Sequence, residues 1–135
     1  MTITTTDLEN LAHMLGLTIT EHEAGEKARH YPARKVISVL RGLGPINRKC
    51  ALAHELGHHI LGHQIPTSAW MLARQERAAD RWAADLLITP DAYRDAETSH
   101  GPHTGAIALE LDVSKHLVEV WRKAHTTLIT KGYRS

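Results

Sequence analysis

Five consecutive residues, His54-Glu55-Leu56-Gly57-His58, carry the most chemistry in this 135-residue chain. On a helix, His54 and His58 stand one turn apart on the same face, so both imidazoles can reach a single metal ion. Glu55 lies about 100° round from His54. It is near such an ion yet poorly placed to bind it, which leaves its carboxylate free to act on an activated water. The chemistry this spacing points to is metal-assisted hydrolysis. The chain is rich in histidine, with 11 in all. Even so, shuffling its composition gives roughly 0.06 matches to His-Glu-x-x-His per chain, so composition does not account for the pattern.

A catalytic zinc takes three protein ligands and a water, and the third ligand has to be found elsewhere. His63 follows Gly62, but metzincins place the glycine three residues and the histidine six residues after the second motif histidine. Here they fall at four and five, and Gly62 suits the end of a helix, so His63 reads as a polar or capping residue. His59 points away from the metal face. Cys50 lies one turn before His54, but one ion does not easily span three successive turns, so Cys50 reads as core-facing. Glu76 fits better. Glu76, Ala79, Asp80, Ala83 and Leu87 form one helical face, and two carboxylates among such small apolar neighbours are costly to bury without partners. A metal for Glu76 and a ligating histidine ring for Asp80 would supply those partners. An exposed pair bridged to Arg74, Arg77 or Arg81 is the competing reading. The alanines favour the metal, because small side chains let two helices approach closely. Glu-x-x-x-Asp after a His-Glu-x-x-His helix is also the relation seen in thermolysin-like gluzincins.

Several elements must position these groups. Thr6-Asp7-Leu8-Glu9 has the form of a capping box, and Leu8, Leu11, Ala12 and Leu15 repeat with helical spacing before Gly16. Short strands are predicted at Leu17–Thr20, around Arg29–Ala33 and at Val36–Leu40, with Pro32 marking the second as an edge strand or irregular. A helix is predicted from Pro45 to Leu61 with Gly62 as its stop. A second begins at Ser68 or Ala73 and runs to Leu87. Thr89-Pro90 starts a short helix through Ala96. Two closing helices follow, Thr104–Leu111 and Ser114 to about Leu128. Trp70, Trp82 and Trp121 read as core residues in a chain without phenylalanine. The fold class is α+β, mostly helical, with a small N-terminal β-sheet. The expectation is one domain over residues 1–135.

Composition narrows the class further. At 42% hydrophobic and 23% charged residues the chain is not compositionally disordered. Its formal net charge of +1 lacks the basic excess of a dedicated nucleic-acid binder. Seven basic residues (Lys27, Arg29, Arg34, Lys35, Arg41, Arg48 and Lys49) fall between Glu26 and Glu55 with no acid among them, which reads as the solvated side of strands and turns. The single cysteine cannot form an internal disulfide. No signal peptide or membrane-length apolar run is visible. The expected setting is the cytoplasm, and the expected state is a monomer.

The chain resembles the ImmA/IrrE family of metallo-endopeptidases. The residues that carry the resemblance are His54 to His58 with Ile60-Leu61-Gly62-His63, then Glu76-x-x-Ala79-Asp80-x-Trp82-Ala83-Ala84-Asp85-Leu86-Leu87-Ile88-x-Pro90. Where the family usually has Asn-x-Phe-Ala, this chain has Asp80-x-Trp82-Ala83. A helix-turn-helix-like tail is matched by Ile107-Ala108-x-Glu110-Leu111-Asp112-Val113-Ser114 and Leu117-Val118, with Asp112 in place of the usual turn glycine. The chain looks most like the short versions encoded by actinobacterial phages and prophages. The resemblance implies a zincin-like core over residues 1–103 and a helix-turn-helix-like tail over residues 104–128. It also implies a Zn2+-dependent protease that cuts a specific regulatory protein, such as a helix-turn-helix repressor. His54, His58 and Glu76 would be the metal ligands, Asp80 the partner of a ligating histidine, and Glu55 the general base. An oxyanion donor is also needed, and Tyr31, Tyr93, His100 and His103 are the candidates. The tail's second helix presents the mixed set Lys115, His116, Glu119, Arg122 and Lys123, which argues against DNA as the main partner. The rival readings are a non-enzymatic transcriptional regulator with a structural metal site and a DNA-binding tail, and a toxin–antitoxin component.

Overall fold

The computed structural model describes residues 2–126. Its first helix, α1 (Thr5–Met14), is capped by Thr4 and not by Thr6. The Thr4 hydroxyl accepts the Asp7 N–H at 3.1 Å, and the Asp7 carboxylate accepts the Thr4 N–H at 2.8 Å. Thr4 and Thr6 are both followed three residues later by an acid, so the box alone does not choose between them. The hydrophobic staple does: with Thr4 as cap, Ile3 and Leu8 take the two positions that clasp the helix start. Leu8 is fully buried and Ile3 packs against the core.

Three strands follow, β1 (Thr18–His22), β2 (Ala28–Tyr31) and β3 (Val36–Leu40), in the spatial order β1-β3-β2. β1 runs parallel to β3 with Thr18 opposite Val36, and β2 runs antiparallel to it with Ala28 opposite Val39. β3 is central, which is why Ile37, Ser38 and Val39 are buried in succession. β2 is an edge strand, as Pro32 required.

The sheet rests on α2 (Pro45–Ile60), which buries Leu52, Ala53 and Leu56. Pro45 opens α2, and Gly62, at φ 70°, turns the chain away beyond it. The other side of α2 meets α3 (Ala69–Leu87), capped by Ser68. Then come α4 (Pro90–His100), α5 (Thr104–Leu111) and α6 (Lys115–Ala124). α4 runs one turn past the predicted Ala96. α6 buries Leu117, Val118 and Trp121 and packs on α3, so the closing helices complete the same core. The predicted tail extends to Leu128, which lies outside the described residues. Among the described residues the fold is therefore six helices and one three-stranded sheet, a mostly helical α+β arrangement.

Two local features explain residues that composition leaves puzzling. Asp112 adopts the left-handed conformation (φ 59°, ψ 44°) between α5 and α6, which aspartate tolerates better than most residues. Its carboxylate lies 3.4 Å from the ammonium of Lys49, whose side chain is almost completely buried on α2. A glycine would serve the turn but leave that buried cation without this acid. Among the tryptophans, Trp121 is in the core and Trp82 packs against it. Trp70 is two-thirds exposed, under the guanidinium of Arg74.

The contact between α2 and α3 decides the geometry of everything that follows. A Cβ placed on Gly57 would stand 3.1 Å from the Ala79 carbonyl oxygen, 3.3 Å from its Cα and 3.2 Å from Cε3 of Trp82. Gly57 thus lets the two helix backbones come together at Ala79. Helix propensity alone favours alanine over glycine by about 1 kcal/mol, whereas overpacking costs roughly 1–3 kcal/mol. Because two of the three neighbours are backbone atoms, the contact wins. Gly57→Ala is expected to destabilise the metal-free protein by about 1 kcal/mol, read as a lower denaturation midpoint. A variant stabilised by its full propensity gain would refute the close approach.

Candidate metal centre

His54 and His58 project from α2 toward Glu76 and Asp80 on α3, with the Gly57–Ala79 contact holding the helices together between them. Nε2 of His54 lies 3.1 Å from Nε2 of His58. One carboxylate closes the triangle: Glu76 Oε2 is 3.1 Å from His54 Nε2, and Oε1 is 2.8 Å from His58 Nε2. Ligands at zinc's usual 2.0–2.2 Å in a tetrahedron stand about 3.3 Å apart. The two imidazoles and the Glu76 carboxylate therefore fit the ligand set of one such ion, with a fourth position open.

Glu55 also has a carboxylate oxygen within 4.8 Å of ligating atoms of both histidines. Glu76 touches both Nε2 atoms, while Glu55 lies beside them, buried to 8% exposure. That burial pushes its carboxyl above the usual range, against the nearby histidines that pull it down.

The far side of each imidazole is also occupied. Asp80 Oδ1 is 2.7 Å from His54 Nδ1, the carboxylate–histidine arrangement that fixes ring orientation and the ring's protonated nitrogen. Behind His58 the partner is His63, whose Nδ1 lies 2.8 Å from His58 Nδ1. Gly62 reverses the chain after α2, and the His63 N–H donates to the His58 carbonyl at 3.0 Å. His63 is thus both a cap and the ring partner of His58; the sequence pattern suggested only the former.

Burial works against a charge on His54, but its hydrogen bonds to Asp80 and Glu76 outweigh that and raise its pKa to about 10. The same bonds from His54 and His58 hold the Glu76 carboxyl well below the usual carboxylate range. His30, on β2, is lowered to about 4 by burial and by the neighbouring His59, His58 and His63. His59 faces this rim, its Nδ1 3.3 Å from His30 Nε2.

The site lies in an open cleft of about 780 Å³ between β2, α2, α3 and the start of α6. Its lining includes His54, Glu55, His58, Glu76 and Asp80, together with His30, Asn47, His63 and His116. The four residues proposed as oxyanion donors do not line it. Tyr93 is buried, its ring stacked on Trp121 and its hydroxyl donating to Glu97 and accepting from Arg122. His100 pairs with Glu110 at 2.7 Å. His103 caps α5, accepting the Ala106 N–H. Tyr31 ends β2 beneath Arg34. Cys50 is half-buried and lines the cleft as well as touching the core.

The sequence profile of peptidase family M78, the IrrE N-terminal-like domain, matches residues 12–120. The chain belongs to the ImmA/IrrE family. This is a metallopeptidase family, and its matched segment contains every residue of the cluster. No protein of curated function matches significantly. Among solved structures, a Mycobacterium tuberculosis transcriptional regulator shares the fold, with a TM-score of 0.62 at 17% sequence identity. The similarity covers 85% of this chain and 39% of that one, so this ImmA/IrrE chain spans well under half of the regulator's length.

Proposed function

We propose that this protein is a zinc-dependent endopeptidase that cuts a specific regulatory protein. The observation that carries the reading is the convergence of His54, His58 and Glu76 at ligand spacing, with a carboxylate oxygen of Glu55 also within 4.8 Å of both histidines. His54, His58 and Glu76 would hold a zinc ion there, which would supply a Lewis acid for the scissile carbonyl and lower the pKa of a water toward 7. The chain's own residues do the rest. Glu55 accepts the proton of the attacking water at its carboxylate and passes it to the departing amide nitrogen. Asp80 and His63 hold the two imidazoles in register from behind.

The cleft suits an extended peptide. Among the described residues no strand pairs with the outer edge of β2, which suits strand addition, and Ala28, Arg29 and His30 of that strand line the cleft. Ile65, Pro66 and Leu72 make an apolar wall, with Lys27 and Arg29 on the β2 side. The choice of a helix-turn-helix repressor as substrate rests on the family resemblance. The named regulator among the structural neighbours keeps a non-enzymatic regulator as the second reading. Against it, a structural metal site has no use for a buried carboxylate beside its ligands. The run of cations before Glu55 is also largely neutralised, with Arg29, Arg41 and Arg48 paired to acids and Lys49 to Asp112. No helix among the described residues is long and apolar enough to cross a membrane.

The test is incubation with the repressor encoded nearest to the gene, followed by mass spectrometry of the products. One defined cut that disappears with a chelator and returns with zinc is the expected result. An intact repressor, together with salt-sensitive binding of this protein to operator DNA, would favour the regulator.

A further inference from the structure

Asp80 uses both of its carboxylate oxygens, and only one of them serves α2. Oδ1 faces His54; Oδ2 is 2.8 Å from Nε2 of His116, in the first turn of α6. His116 lines the cleft together with Ser114 and Leu117, although its own side chain is 64% exposed. Three side chains from three helices therefore form one chain of contacts: His54 on α2, Asp80 on α3 and His116 on α6.

We infer that His116 is a positioning residue for the metal centre, acting through Asp80 on His54. The inference rests on the metal-site reading above and adds a residue from the closing helices to it. A carboxylate's terminal torsion is broad, so one hydrogen bond leaves its plane free to turn. A second donor on the other oxygen fixes that plane and aims Oδ1 at the Nδ1–H of His54. With the ring so held, its Nε2 points at the ligand triangle. Partners of this kind, behind the ligands themselves, typically change metal affinity by about 10- to 100-fold. An asparagine's amide offers one acceptor oxygen, whereas residue 80 is an aspartate. Its two equivalent acceptors are what allow one imidazole on each side. The α5–α6 tail is thereby part of the metal apparatus and not only a packing element.

The test measures metal affinity, so it does not depend on finding a substrate. Full-length protein is titrated with Zn2+ against a chromophoric chelator and with Co2+ by its visible spectrum. His116→Ala should weaken affinity about tenfold and perturb the Co2+ bands, while the melting temperature of the metal-free protein stays unchanged. His116→Gln, which retains an N–H donor, should recover most of the loss. Glu119→Ala, an exposed change on the same helix, should have no effect. In an Asp80→Ala background, His116→Ala should cost nothing further, because the path through Asp80 is already cut. Affinity of His116→Ala within twofold of wild type, or an equal additional loss in the Asp80→Ala background, would overturn the inference. Glu76→Ala is the internal reference. If it keeps its metal, the assignment of Glu76 as third ligand has failed; if it alone loses metal, only the role of His116 has.

Discussion

Glu55→Gln should remove peptide-bond hydrolysis while leaving one metal ion per chain. The glutamine has the size and shape of the glutamate but no basic oxygen at neutral pH. General-base catalysis of this kind contributes about 10²- to 10⁴-fold, so a loss of that order is expected on whatever substrate the wild-type protein cuts. The fold should not suffer. Glu55 is buried at 8% exposure, and its carboxyl is raised by that burial, so a neutral amide relieves a desolvated charge while giving up its attraction to His54 and His58. The measurement pairs product analysis by mass spectrometry with metal content by elemental analysis. Loss of both cleavage and metal would make Glu55 a ligand. Retained cleavage would place the base elsewhere in the cleft, where His30, His63 and His116 are the remaining titratable groups on its histidine side.

How much of this centre is legible in the sequence follows from how local each part is. His54, Glu55 and His58 are separated by helical turns alone, so spacing suffices. Glu76 and Asp80 are also read from a single helix face, because two acids among alanines need an external reason to be there. The distance between the helices is less visible. It depends on Gly57 lying opposite Ala79, which becomes meaningful only once α2 and α3 are docked. His116 is beyond local reasoning altogether: it reaches Asp80 across 36 positions of sequence because α6 packs on α3. The oxyanion candidates lie away from the cleft for the complementary reason. Tyr93, His100 and His103 have plausible chemistry, but each is used by a tertiary or capping contact away from the cleft. The sheet shows the same division. β3 is readable residue by residue, while the parallel pairing of β1 with β3 depends on the chain first laying β2 at the far edge and then returning between the two.

Glu76→Ala should lose the metal without losing the fold. Glu76 is half-exposed, so its removal opens no core cavity, and alanine is the better helix former. Circular dichroism should therefore stay close to wild type, while the melting temperature of the metal-free protein falls by what the lost contacts to His54 and His58 contribute. Metal affinity should fall steeply. Apparent binding energies of about 10–16 kcal/mol for four-ligand zinc sites divide into roughly 3–4 kcal/mol per ligand. One ligand's removal then weakens binding by about two to three powers of ten. The loss also strips away the acid that bridges both Nε2 atoms, so the two imidazoles no longer face a shared counter-charge. Glu76→Asp discriminates position from charge: it keeps the carboxylate but falls one methylene short of both nitrogens, and should bind with intermediate strength. Full occupancy in Glu76→Ala would transfer the third-ligand role to Glu55, whose carboxylate lies within 4.8 Å of ligating atoms of His54 and His58. In that case Glu55→Gln must lose its metal. The two variants therefore assign the two glutamates between them: the one whose loss empties the site holds the ion, and the one whose loss silences a filled site moves the proton.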